Sequence, residues 1–143
     1  FDINIVKLAG QFFIKLDSYM DRHTKNHKDA DDMFFILEKY YVSKLLDSDV
    51  IPDDVTLEGD KEIIWGSQWL ASEIKHILSD EHLADYSDMI KTELDKGTES
   101  DLIKDFIKLY GDEEDDAYSV SLSIWRNIYE ILTKEIEERN EDK

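Results

Sequence analysis

Residues 120–136 read VSLSIWRNIYEILTKEI, and in this stretch an apolar side chain recurs at every fourth position. The repeating residues are Val120, Ile124, Ile128, Leu132 and Ile136. Because an α-helix turns once in about 3.6 residues, this spacing gathers the apolar side chains on one helix face. Trp125 and Tyr129 lie beside that stripe. The stretch therefore predicts a long amphipathic helix over about residues 116–139.

Similar spacing recurs along the rest of the chain and predicts five further helices. The first ends near Arg22, the second begins near Asp31, the third carries the apolar residues from Ile63 to Leu78, and the fourth and fifth stop at Gly97 and Gly111. The sequence TESD at 98–101 resembles a capping box, with Thr98 as the cap of the fifth helix. One proline and five glycines are too few for a β-rich fold with many tight turns.

These segments predict an all-α fold: a single-domain antiparallel bundle of five or six helices over residues 1–143. Residues 47–60 contain the one proline and are predicted to form the main loop, and residues 138–143 are predicted to be a fraying tail. Since the other connections are short, consecutive helices are expected to run antiparallel. The starts of alternate helices should then lie at the same end of the bundle.

The charge of the chain is strongly one-sided, with 35 acidic residues against 17 basic residues and a formal net charge of −18. Such a field repels phosphates and anionic lipids, which argues against direct binding to nucleic acid or to a membrane. It accelerates encounter with a cationic partner, although solubility alone is an alternative explanation.

The chain also has no cysteine, no apolar run of transmembrane length and no signal-peptide pattern. These features predict a cytoplasmic protein; whether a segment precedes Phe1 is left open.

One stretch begins like a calcium-binding loop but departs from the pattern. DSDVIPDDVTLE at 47–58 places acidic residues at positions 1, 3 and 12 of an EF-hand loop. However, Ile51 occupies ligand position 5, and Pro52 replaces the glycine required at position 6. The sequence therefore predicts no calcium site here.

The candidates for other metal chemistry are also incomplete. Glu73 and His76 form one Glu-x-x-His motif, whereas a di-iron helical bundle needs two. Glu73 is predicted to lie at the margin of its helix's apolar face and His76 well to one side of that face, so both are expected to be boundary or solvent residues. His23 and His27 have a spacing that can share a metal, but they lack the glutamate of the HExxH protease motif. With no glycine-rich phosphate loop either, the prediction is a protein without metal, cofactor or catalytic residues.

The sequence WGSQW at 65–69 places two tryptophans about one helical turn apart. The small Gly66 and Ser67 between them allow a neighbouring helix to approach closely, which favours packing of Trp65 and Trp69 in the core. The alternative is that Trp69 is an exposed aromatic anchor, because tryptophan is common at binding hot spots.

Five consecutive carboxylates, Asp112–Asp116, lie at the expected start of the last helix. The helix dipole favours negative charge only in the first turn, where one or two carboxylates would be enough. Similar excesses occur near the starts of three other helices, at Asp29, Asp31 and Asp32, at Asp53, Asp54, Glu58, Asp60 and Glu62, and at Asp80, Glu81, Asp85 and Asp88. One or both ends of the bundle are therefore predicted to be strongly electronegative.

A cationic partner accounts for this concentration of charge, because carboxylates can take the place of phosphate oxygens against arginine and lysine. The predicted partner-binding residues are Asp112, Glu113, Glu114, Asp115, Asp116, Tyr118, Asp80, Glu81, Asp85 and Trp69. In size, helicity and charge the chain resembles bacterial immunity proteins, small acidic inhibitors that neutralise a co-produced nuclease toxin. The resemblance implies a cytosolic one-to-one inhibitor of a basic toxin domain, which it blocks by occupying the cationic cleft. The alternatives are a DNA-mimic regulator and a helical scaffold or regulatory domain without a cationic target.

Overall fold

The computed structural model describes residues 2–22, 28–47, 55, 61–111 and 113–141. These residues form six α-helices: α1 Asp2–Arg22, α2 Lys28–Asp47, α3 Glu62–Ile74, α4 Asp80–Lys96, α5 Asp101–Tyr110 and α6 Ala117–Glu141. A single 3-10 turn, Gly97–Glu99, joins α4 to α5, and the described residues contain no strand. The predicted all-α bundle is confirmed. Helix α6 extends to Glu141, beyond residue 138, where the tail was expected to begin.

The helices pack around one continuous apolar core. Helix α3 packs against α1, α2 and α6, and α6 packs in turn against α4 and α5. Trp125 of α6 lies at the centre of an aromatic group, with ring centroids 5.7 Å from Phe12 of α1 and 4.9 Å from Phe106 of α5. Phe106 also contacts Phe34 of α2 at 5.5 Å. Four helices therefore share one aromatic contact network.

The corner between α4 and α5 is held by Ser100 and Glu93. Ser100 is the N-cap of α5, and its hydroxyl oxygen accepts a hydrogen bond from the backbone N–H of Ile103. The same hydroxyl donates to Glu93 Oε1 at 2.8 Å, while Lys96 Nζ lies 3.0 Å from Glu93 Oε2. The predicted capping role of Thr98 is wrong, because residues 97–99 form the 3-10 turn and the helix starts only at Asp101.

Ser100→Ala is expected to lower the free energy of unfolding by about 2 kcal/mol, since it removes a helix cap and one donor to a buried carboxylate. Ser79→Ala is the matched control: Ser79 caps α4 through the N–H of His82, but on the protein surface. Its loss should be about 0.5–1 kcal/mol. Urea denaturation followed by circular dichroism measures both, and equal losses would argue against a special role of the Ser100–Glu93 bond.

Three tyrosines have hydroxyl groups whose ionisation the fold opposes. Burial raises the pKa of Tyr19 well above its ordinary value, and a 2.6 Å hydrogen bond to Asp105 raises it further. Burial likewise raises the pKa of Tyr40, whose hydroxyl has no hydrogen-bond partner among the described residues. For Tyr86, burial and a 2.8 Å hydrogen bond to Asp17 raise the pKa to about 12.

The raised pKa values predict a loss of stability in alkali. The folded state keeps these phenols protonated, so their contribution is complete below the unfolded pKa of about 10 and is lost as the pH rises through the folded values. We expect the free energy of unfolding to fall above about pH 10, by about 1.4 kcal/mol per pH unit for each fully buried tyrosine. Tyr40→Phe should make this slope shallower without destabilising the protein at neutral pH. Urea titrations from about pH 8 to about pH 11 test this, and a stability independent of pH over that range would contradict it.

Candidate functional site: the acidic turn

The connection between α5 and α6 carries a compact group of acidic residues, here called the acidic turn (Glu113, Glu114, Asp115 and Asp116). The turn begins after Gly111, whose φ of 128° is a backbone conformation that favours glycine. The backbone N–H of Glu114 donates to the carbonyl of Gly111 at 2.9 Å, and the N–H of Ala117 donates to the carbonyl of Glu114 at 3.2 Å. Two successive turns therefore give the segment a defined backbone. The acidic residues precede α6 and do not occupy its first turn.

One side chain of the acidic turn forms an ion pair with another part of the fold, and the other three do not. Asp116 Oδ2 lies 3.1 Å from Lys61 Nζ, which ties the turn to the start of α3. Hydrogen bonds to Tyr110 and to Asp116 raise the pKa of Lys61, so this lysine stays charged. Glu113, Glu114 and Asp115 are exposed, and their side chains form no ion pair or hydrogen bond with any residue that the structure describes. Asp112, the fifth predicted acid, lies outside the described residues.

Tyr118 is the second residue of α6 and lies on the surface beside this group, where it is 40% exposed. Its hydroxyl oxygen is 3.7 Å from the position that a Cβ atom on Gly97 would take, so the end of α4 adjoins the start of α6. Tyr118 thus presents an aromatic ring beside the exposed carboxylates. It is the one predicted aromatic contact residue that is accessible.

The acidic residues at the start of α4 lie far from the acidic turn. Asp80, Glu81 and Asp85 are exposed, as expected, but the end of α4 adjoins the start of α6. Helix α4 has 17 residues and is about 25 Å long, so its own start lies at the opposite end of the bundle. The expectation that the starts of alternate helices meet is wrong for α4 and α6. The short α5 does not traverse the bundle, and α6 therefore starts beside α3, where Lys61 contacts Asp116.

Two of the three acidic residues at the start of α2, Asp29 and Asp32, stabilise the fold. Asp29 is buried, and Lys15 Nζ of α1 lies 3.8 Å from Asp29 Oδ1 and 2.9 Å from Asp32 Oδ2. Burial of a carboxylate needs such a partner. These two ion pairs therefore link α1 to α2. Most of the group at 53–62 lies outside the described residues.

Trp69 is a core residue. Only 2% of its surface is accessible, and the neighbouring Ser67 is fully buried, with its hydroxyl donating to the carbonyl of Ile64 at 2.7 Å. The close-packing interpretation of WGSQW is confirmed for Trp69, while Trp65 is half-buried. The prediction that Trp69 contacts a partner is wrong, because its ring is enclosed by the bundle.

The residues considered for metal binding do not converge. Glu73 is half-buried and His76 is exposed, which confirms their predicted place outside the apolar face. Within the described ranges no three histidine, aspartate or glutamate side chains form a group that could hold a metal ion. His23, His27 and most of the calcium-like stretch lie outside those ranges.

A second surface, which the sequence did not reveal, is apolar. Three large apolar side chains are strongly exposed: Ile14 (62%), Phe35 (56%) and Val42 (47%). Phe35 lines two grooves, one with Ile14 between α1 and α2, the other with Val42, Lys61 and Tyr110 beside the acidic turn. The pair Phe34–Phe35 was no signal of it, because the adjacent pair Phe12–Phe13 has the same spacing and both of its rings are buried.

The chain matches no protein-family model, no curated protein and no solved structure. In the part of the chain that the structure describes, no helix is both long enough and apolar enough to cross a membrane. The acidic turn and its surroundings are therefore the basis on which a function can be argued.

Proposed function

We propose that this protein is a cytoplasmic binding protein, not an enzyme, and that it neutralises a basic partner. The partner class is a nuclease toxin, and the protein acts as an immunity protein by occupying the cationic cleft of that toxin. The observation that carries the proposal is the set of three exposed carboxylates, Glu113, Glu114 and Asp115, whose side chains form no ion pair or hydrogen bond with any described residue.

Helix stability does not account for these three residues. They lie before the first turn of α6, and their mutual repulsion is a cost to the folded state. A cationic surface would convert that repulsion into attraction and would form charge-assisted hydrogen bonds with the carboxylates. The net charge of −18 adds a long-range field that attracts such a surface. Exposed Tyr118 supplies an aromatic contact of the kind that contributes affinity beside charged groups.

The direct test asks whether this protein inhibits the product of the neighbouring gene. The gene immediately upstream is expressed, and the nuclease activity of its product is measured with increasing amounts of this protein. We expect complete inhibition at a one-to-one ratio, with an inhibition constant that rises steeply with salt. A neighbour without nuclease activity, or a nuclease that remains active in excess protein, would count against the proposal.

The two alternatives give different results in the same assay. A DNA mimic also binds in a salt-dependent way, but its target is a DNA-binding protein, and binding competes with duplex DNA. A helical scaffold shows little salt dependence and does not need the acidic turn. Competition with DNA and the salt slope together therefore separate the three functions.

A further inference from the structure

The outer face of α2 carries a short pattern of four exposed residues. Phe35, Glu38, Lys39 and Val42 are spaced i, i+3, i+4 and i+7, so they share one side of the helix. An exposed phenylalanine and an exposed valine on one face indicate a surface that another molecule covers. Lys39 Nζ lies 5.4 Å from the centre of the Phe35 ring, and the ring nevertheless remains more than half exposed.

The charge around this face differs from the charge of the molecule. Across the two grooves that Phe35 lines, three lysines are balanced by three carboxylates: Lys15, Lys39 and Lys61 with Asp32, Glu38 and Glu62. Two further carboxylates, Asp29 and Asp116, pair with Lys15 and Lys61, so this face carries only a small part of the net charge of −18 and offers little attraction to a basic partner. It is instead a region where two acidic molecules of this kind can approach with little local repulsion.

The order of the four residues is complementary to itself. If two α2 helices pack antiparallel about a two-fold axis between residues 38 and 39, Phe35 lies opposite Val42 of the second copy. Glu38 then lies opposite Lys39 of the second copy, and both contacts occur twice because the interface is symmetric. A second copy of this chain therefore satisfies both apolar pairs and both opposite-charge pairs in a single register. We propose that α2 is the interface of a homodimer, with this pattern at its centre.

The dimer is expected to be weak. A stable interface buries about 800 Å² on each partner, roughly a tenth of the 8185 Å² accessible surface of this protein. Four residues of α2 together with Ile14 of α1 form a smaller patch, and the net charges of the two copies repel each other. Moderate salt screens that repulsion, so added salt should strengthen the dimer. The same salt weakens binding to a basic partner, and the two interactions are therefore distinguishable.

Sedimentation equilibrium of the pure protein at moderate salt tests the interface. The wild-type protein should form a concentration-dependent dimer, and Phe35→Ser should weaken its association by about tenfold or more. E38K and K39E, tested singly, each place like charges opposite one another twice, so each should weaken the dimer by about fivefold to tenfold. The double variant E38K/K39E restores both opposite-charge pairs and should restore dimerisation.

Ile77→Ser provides the matched control, because Ile77 is a similarly exposed apolar residue (52%) that follows α3 and lines neither of the two grooves that Phe35 lines. This variant should dimerise like the wild type. A wild-type protein that stays monomeric at millimolar concentration would overturn the proposal and would indicate that a different molecule binds this face of α2. A dimer that is insensitive to Phe35→Ser, or a double variant no more dimeric than the single ones, would overturn it as well. The experiment needs no toxin, so its outcome is independent of the proposed inhibition.

Discussion

Replacement of Trp125 by alanine is expected to lower the free energy of unfolding by about 4 kcal/mol. Trp125 is fully buried, and its ring contacts Phe12 of α1 and Phe106 of α5. Alanine would leave a cavity where these helices meet, and the surrounding rings can fill such a space only in part. Since domains of this size are stable by about 5–15 kcal/mol, a substantial fraction of the native stability would be lost. Urea denaturation followed by circular dichroism measures the change.

Trp125→Phe is the matched control for this prediction. The indole N–H of Trp125 is buried and has no hydrogen-bond partner among the described residues, so its removal relieves an unsatisfied donor. Phenylalanine also keeps an aromatic ring in the site, and the expected loss is therefore only about 1 kcal/mol. Similar losses for the alanine and phenylalanine variants would contradict this explanation, because a retained aromatic ring should keep most of the contacts with Phe12 and Phe106.

The variant E113Q/E114Q/D115N is expected to slow association with the basic partner about tenfold at low salt. The three substitutions remove negative charge but preserve side-chain size, and none of the three side chains forms an ion pair or hydrogen bond with a described residue. Helix content should therefore stay unchanged. Asp116 is kept because its ion pair with Lys61 holds the turn. Stopped-flow kinetics over a range of salt concentrations measures the association rate, and the difference from wild type should vanish at high salt.

The variant D80N/E81Q/D85N removes the same amount of charge from the far end of α4. These residues lie about 17–24 Å along α4 from the end that adjoins α6. At physiological salt, where the screening length is about 8 Å, this change should therefore slow association less than twofold, roughly. If the α4 variant shows the larger effect, the contact surface lies at the other end of the bundle. If neither variant changes the rate, the acidic groups do not steer the encounter.

The helix order of this protein could be predicted from its sequence, and glycine marked two of the ends most clearly. Helices α4 and α5 end immediately before Gly97 and Gly111, and both glycines have positive φ angles. The end of α3 was less predictable. Ile77 and Leu78 continue the apolar spacing, yet the helix ends at Ile74 and Ile77 is exposed. Apolar periodicity reports which residues could pack in a core and does not report where the chain reverses.

The arrangement of the candidate site was harder to predict, because it depends on the length of each helix. Counting helices suggested that the acidic starts of α4 and α6 meet, but this assumes that every helix crosses the whole bundle. Helix α5 has only ten residues, and the contact between Lys61 and Asp116 places the start of α6 beside the start of α3. The orientation of an aromatic residue poses a related difficulty: Trp69 is enclosed, whereas Phe35 is exposed, and composition alone does not distinguish them.

The Lys61–Asp116 ion pair and the two backbone turns have a consequence for how tightly the acidic turn can bind. The pair and the turns fix the segment before any encounter, with Asp116 also accepting the N–H of Val120 through its carbonyl at 2.9 Å. Because its backbone is already held, the turn loses less conformational entropy on docking than a loose acidic tail with the same charges. The benefit appears mainly as a longer lifetime of the complex, since charge alone governs how fast the partners meet.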